Sequence, residues 1–291
     1  MGGQFSASSG RVRAGARVLP LAANPIKRGI LREMLERPLL LESGNEYKIT
    51  PGGREMLFVA FVAERWLQGA PRGAIPFDSE EAELAIDTLV EVWSSTLMHA
   101  LARGPRTFGE LNEAIEGLSR RALKRHLVAM RSAGQVEAHP DDGGETVYAV
   151  TDWLRAGIAP LAAAARLERR APMEGMAPID ALDVEAAFLL TLPLLELPAE
   201  LSGSCRLGVE LEDGGGSGPA GVTAQIEEGR VTSCTVGLDG EADTWASAPA
   251  GNWLDTVIEP DAKSVKTGGD RYLARALLDA LHRTLFGVPV A

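Results

Sequence analysis

Leu97-Met98-His99-Ala100-Leu101-Ala102-Arg103-Gly104-Pro105-Arg106-Thr107-Phe108, followed from residue 119 by Ser119-Arg120-Arg121-Ala122-Leu123-Lys124-Arg125-His126-Leu127, decides the fold. It reads as a helix, a short helix, a turn and a helix with cations on one side. Thr107 and Glu110 form a Thr-x-x-Glu capping box, with Leu111 and Ile115 on the face of Phe108. Gly117 permits a turn, and Ser119 is placed to cap the next helix. On that helix Leu123, Leu127 and Met130 recur at i, i+4 and i+7, which defines a buried stripe. The same spacing puts Arg121, Lys124 and Arg125 on the opposite face, flanked by Arg120 and His126. From Arg103 to Arg131 there are seven cations and three anions, a local charge of +4 in a chain of net charge −11.

Further along, Gln135–Ala138 and Thr146–Val150 read as the strands of a hairpin joined by the turn-rich, acidic Asp141–Glu145. Helix, helix and hairpin together make a winged helix with a poor wing, because a negative tip is unfavourable beside phosphates. His139 is the one wing residue able to help, and it also reads as an exposed bystander. A capped helix with a cationic outer face suits the major groove of double-stranded DNA, with phosphates at the first-turn amides and arginines at base edges. Ser119, Arg120, Arg121, Lys124, Arg125 and His126 are the candidate contacts. The plain alternative is a solvated charged helix face.

The chain also matches itself. Tyr47-Lys48-Ile49-Thr50 and Tyr148-Ala149-Val150-Thr151 each precede an apolar helical stretch, and a proline (Pro71, Pro172) follows 24 positions after each tyrosine. Each threonine is a plausible N-cap, and Pro160 should kink or interrupt the second helix. Upstream, Ile30–Pro38 parallels Leu97–Pro105, but Pro38 lies 9 positions before its tyrosine and Pro105 lies 43 before its own. The first copy is therefore 34 residues shorter, and the shortfall corresponds to the segment holding the basic helix. A naturally degenerate copy, a deletion and a segment closed up in the numbering all fit that difference.

The stretch from about Val92 to Pro172 resembles the HxlR-type winged-helix regulators. The matching residues are Trp93, Leu97, Gly104-Pro105, Phe108, Leu111, Leu118-Ser119, Leu123, Leu127, Gly134, Val136, Tyr148 and Thr151. That resemblance implies a bacterial transcription regulator that binds DNA as a homodimer. The acidic wing departs from the pattern and puts minor-groove contact in doubt.

From Asp183 onward the composition shifts. Cys205–Leu211 alternates, Asp213–Gly218 is a Gly-rich turn, and Val222–Ile226, Glu227–Arg230 and Val231–Val236 suggest an antiparallel hairpin. Ala242–Ala246 adds a strand, and Ala250–Ile258 and Asp270–Phe286 read as helices. From Ala181 there are 17 acids and 7 bases, so this region repels DNA. Its sheet–helix order, with Gly240-Glu241-Ala242-Asp243 and Gly269-Asp270-Arg271, is similar to sterol-carrier-protein-like domains. The similarity implies an apolar cavity and a hydrophobic small-molecule effector, with Trp245, Trp253 and Leu254 as candidate lining; a dimerisation scaffold is the other reading.

The expected class is α+β: a tandem winged helix, one copy shortened, followed by an antiparallel sheet-plus-helix domain. The expected units are a disordered arm at 1–19, a shortened repeat at 20–76, the winged helix at 77–172 and the C-terminal domain at 179–291. Residues 1–19 lack the apolar core of a secretory signal, and the longest apolar run, Ala186–Leu195, is too short to span a bilayer. A cytoplasmic protein without membrane contact is expected. Cys205 and Cys234 have no CxxC spacing, and four scattered histidines form no cluster with metal spacing. With no G-x-S-x-G or phosphate loop either, neither a cofactor nor an enzymatic activity is expected. The alternative to a regulator is a small-molecule or lipid-binding protein whose winged helices serve only protein contacts.

Overall fold

The structure, a computed structural model, describes residues 11–14, 17–20, 40–43, 46–93, 96–115, 117–141, 143–170, 179–211, 218–259 and 264–287, with side chains placed from Lys48 onward except at 92–93. It is α+β throughout. The strands β1 (Arg11–Ala14), β2 (Arg17–Pro20), β3 (Leu40–Ser43) and β4 (Glu46–Ile49) form a sheet of order β2-β1-β4-β3. The stretch expected to be a disordered arm thus contains two paired strands. β1 pairs antiparallel with β2 on one side and parallel with β4 on the other. Ile30–Pro38, the counterpart of Leu97–Pro105, lies outside the described residues.

Thr50 ends the β3–β4 hairpin and starts α1 (Pro51–Gln68), its hydroxyl accepting from Gly53 N–H at 2.9 Å while Pro51 presets the first turn. The winged helix follows as α2 (Glu80–Trp93), α3 (Thr96–Ala102), the short strand β5 (Arg106–Thr107), α4 (Phe108–Ala114), α5 (Arg120–Ala133) and the hairpin β6 (Val136–Pro140) and β7 (Thr146–Val150). The wing strands pair antiparallel, and β5 adds to the outer edge of β7. Thr151 then caps α6 (Asp152–Ala156) through Leu154 N–H, and α7 (Ile158–Arg170) begins after a break at Gly157. The break falls three residues before Pro160. A helix running unbroken through that proline would leave the carbonyl four residues upstream without its donor and against the ring.

Helices α1 and α7 pack antiparallel, and a tryptophan pair between α1 and the adjoining α6 pins one end. Trp66 Nε1–H donates to Trp153 O and Trp153 Nε1–H donates to Trp66 O, both at 2.8 Å, with the rings stacked 4.6 Å apart. At the other end Arg166, nearly buried, reaches Glu55 on α1 and Asp255 and Glu259 beyond α7, and Arg170 bonds Glu55 and Asp255 at 2.7 Å each. Burial works against the charge of Arg170, but the bonds and attraction of Glu55 and Asp255 outweigh it and hold the guanidinium above its ordinary range.

The C-terminal unit opens with α8 (Ala181–Thr191), whose Asp180/Asp183 capping box is followed by near-continuous apolar sequence. A sheet of order β10-β9-β8-β11-β12 follows, from β8 (Gly203–Glu210), β9 (Ala220–Glu227), β10 (Arg230–Val236), β11 (Thr244–Pro249) and β12 (Lys266–Gly269). The β9–β10 turn is Glu228-Gly229, both at positive φ, as a tight two-residue hairpin requires. The sheet is mixed rather than purely antiparallel, because β11 returns parallel to β8. Helices α9 (Ala250–Ile258) and α10 (Arg271–Leu285) complete the unit.

Helix α8 joins this unit to the winged helix. Glu185 bonds His99 on α3 at 2.9 Å, and Arg155 on α6 donates to the Leu189 and Leu190 carbonyls near the C-terminal end of α8. The guanidinium thus bonds carbonyls of the last helical turn, where cations are favoured. Among the described residues no helix is long and apolar enough to cross a membrane.

Candidate functional site

Helix α5 is built to hold its outer face still. Leu123, Leu127 and Met130 are fully buried, Ser119 Oγ accepts from Ala122 N–H at 3.2 Å, and Gly134 closes the helix at a φ of 81°, where a side chain is strained. The preceding α4 carries the complete capping box, with Thr107 N–H donating to Glu110 Oε2 at 2.8 Å and Glu110 N–H donating to Thr107 Oγ1. The backbone donor of Thr107 above all holds the Glu110 carboxyl below its usual range, despite some opposing desolvation. At the far end Arg72, in the segment after α1, donates to Ser132 O and Arg131 O at 2.9 and 3.2 Å.

Arg121, Lys124 and Arg125 are exposed together on the outer face, and none of the three has an ion-pair or hydrogen-bond partner among the described residues. Arg120 is exposed but stands over the Phe108 ring, 5.6 Å from its centre, which tethers it to the flank. Ser119 is exposed, with its hydroxyl committed to the cap. His126 is a correction: it is 7% exposed and faces Glu91 on α2 at 3.9 Å, so it belongs to the contact between α2 and α5. The spacing contains the signal, since His126 lies three residues after Leu123 and four before Met130, inside the buried stripe. Sequence reasoning misses Val128. It is 53% exposed, an apolar group beside the cations.

The acidic wing has a local cause. Asp141 Oδ1 accepts from Gly143 N–H and Glu145 N–H, so this carboxylate builds the turn. His139 is exposed toward the turn end of β6, lining a polar groove with Arg72, Val128 and Arg131.

The second feature is a cavity of about 180 Å³ between α7, α8, α9 and α10. Leu161, Ala162 and Ala165 contribute from α7, Phe188 and Thr191 from α8, and Trp253, Leu254 and Val257 from α9. Trp253 and Leu254 thus stand where the lining was expected. Trp253 is fixed by donating Nε1–H to Gly208 O at 2.7 Å and by an edge-on contact with Phe188. Trp245 does not join them. On β11 the residues Thr244, Ala246 and Ala248 point inward, so Trp245 faces outward and lies over Gly268, where an added Cβ would come within 2.5 Å of its ring. That alternation is readable in the sequence, whereas the part played by α7 is not, because it arises only when the two units dock.

Cys205 and Cys234 are free, and burial pushes both thiols up to about 12, with Cys234 adding to the effect on Cys205. Among the described residues no three His, Cys, Asp or Glu side chains cluster as a metal site would need.

No family model matches the chain, and no curated protein matches it. Among solved structures it is similar to a conserved hypothetical protein from Thermus thermophilus, for which sterol carrier protein has been offered as an identity. The match has 16% identity and a TM-score of 0.24, over 30% of this chain and 72% of that one. The winged-helix resemblance accordingly rests on this chain's own residues.

Proposed function

We propose that this chain is a DNA-binding transcription regulator of the HxlR-like winged-helix type, whose duplex affinity responds to an apolar small molecule held against the C-terminal unit. One observation carries the reading: Arg121, Lys124 and Arg125 stand exposed and without ionic partners among the described residues, on a capped, apolar-backed helix in a chain of net charge −11. An acidic protein that keeps an unneutralised cationic ridge on a rigid support has the electrostatic footprint of a nucleic-acid reader. With one such helix among the described residues, a two-fold operator calls for a homodimer. Under this reading the protein acts in the cytoplasm and catalyses no reaction.

The test is fluorescence anisotropy with mixed genomic duplexes across a salt series. Three phosphate contacts give a log–log salt slope of about −3. The double change Arg121→Ala, Arg125→Ala is expected to weaken binding about 30-fold or more, at ~1–3 kcal/mol per arginine. Unchanged binding by the double variant overturns the assignment.

The cavity between α7 and α9 favours a second reading, a small-molecule or lipid-binding protein whose winged helices make only protein contacts. Ligand uptake without any duplex binding at low salt selects it.

A further inference from the structure

We propose that the polar groove between the C-terminal half of α5 and strand β6 seats the sugar–phosphate backbone of the bound duplex, with Arg131, Ser132 and His139 as its contacts. This deepens the proposed function and rests on that reading. It adds a second, sequence-blind part of the interface where the segment after α1 meets the basic helix.

The cationic face does not stop at Arg125. At 3.6 residues per turn, Arg121, Lys124, Arg125, Val128, Arg131 and Ser132 fall within an arc of about 120° on α5. All six are exposed. Arg131 lies about 15 Å along the helix axis from Arg121, the rise of roughly four base pairs. The arc leads straight into the groove, which Arg131 and Ser132 line from α5, Glu137 and His139 from β6, and Arg72 from the segment after α1.

The groups in the groove suit phosphate oxygens. The Arg131 guanidinium, the Ser132 hydroxyl and the His139 ring have no hydrogen-bond or ion-pair partner among the described residues. Arg72 spends two donors on the Arg131 and Ser132 carbonyls, which fixes that end of the helix and leaves a positive charge beside the groove. Arginine, serine and similar donors make the backbone contacts that position a duplex without reading its sequence. An acidic protein segment would use the groove alone. The continuity of the groove with the face of Arg121 and Lys124 favours the longer, evenly charged duplex.

Two anions separate this seat from a wing contact. Glu137 is exposed two residues from His139 on the same face of β6, inside the groove. The wing turn at 141–145 begins four residues further on, about 13 Å along the strand and beyond the Debye length of roughly 8–10 Å. A backbone held in the groove is repelled by Glu137, whereas a wing tip pushed into the minor groove brings Glu145 against the phosphates.

Fluorescence anisotropy of the full chain on several unrelated duplexes, over a salt series at fixed pH, tests the proposal. Arg131→Gln should weaken every duplex by the same factor, about five-fold at low salt, and flatten the log–log salt slope by about 0.9. Arg131→Lys, which keeps the point charge, should restore both. Glu137→Gln should tighten binding about two- to three-fold, while Glu145→Gln, the same change in net charge, should leave it unchanged. Unchanged affinity and slope in Arg131→Gln overturn the proposal. So do a loss confined to particular duplexes, no rescue by Arg131→Lys, or Glu145→Gln tightening binding as much as Glu137→Gln. A natural chain that binds no duplex overturns the regulator reading and this seat with it; duplex binding lost in the Arg121, Arg125 variant but indifferent to Arg131 overturns the seat alone.

Discussion

The two hairpin-to-helix copies begin alike and end differently. In both, a strand ending at Thr50 or Thr151 hands its hydroxyl to the first turn of a helix. After Thr50 the helix runs unbroken for 18 residues, whereas after Thr151 it stops at Gly157 and restarts as α7. The difference shows how the same opening signal yields two parts. The unbroken helix is a strut; the broken one turns the chain so that Trp153 meets Trp66 while Arg166 and Arg170 reach back to Glu55. The basic helix belongs to the second copy, and Arg72, just past the helix of the first, supports it.

The largest effect expected on this pairing comes from the tryptophans. Trp66→Ala or Trp153→Ala removes a stacked ring and the hydrogen bond its indole donates, and each should cost about 3–5 kcal/mol in denaturant unfolding. The double variant should cost less than the sum, because each partner's contribution is lost with the first change. Full additivity would mean that the two rings act independently. Arg166→Ala removes the nearly buried cation of the cluster, leaving Arg170 alone beside Glu55, Asp255 and Glu259, and should cost about 1–3 kcal/mol. A thermal melt unchanged by this substitution would show that the cluster does not bind α1 to α7.

Gly157→Ala gives a test of sign. If the break were merely a weak point, alanine would stabilise the helix by up to about 1 kcal/mol. Here an added Cβ would lie 2.9 Å from Leu154 O and 3.1 Å from a Leu89 methyl, so destabilisation of about 1–3 kcal/mol is expected in urea unfolding. The smallest effects come from the caps. Thr50→Ala and Thr151→Ala should each cost about 1 kcal/mol, and similar shifts in the unfolding midpoint would show that the two starts are equivalent.

Much of this is legible from local patterns. The Thr107–Glu110 box, the Leu123, Leu127, Met130 stripe, the Thr146–Val150 strand and the helix Ala250–Ile258 all stand as their spacing indicates. Local signals carry them because capping and periodicity act within a few residues. His126 and Trp245 stand elsewhere than expected although their own periodicities hold the answer, because residue type outweighs position in that expectation. The parallel return of β11 to β8 and the cavity shared by α7 and α10 join segments far apart in the chain, which no short-range pattern reports.

Arg72 ties the two copies together in one further way. Its guanidinium grips the last carbonyls of α5 while its backbone sits just past α1, and Pro71 beside it lies 3.1 Å from where a Cβ on Gly134 would be. The heading of the basic helix is therefore steered from its tail by the first copy. Whatever tilts α1 swings that heading, and a lever of this kind can turn the cationic face without altering any residue on it.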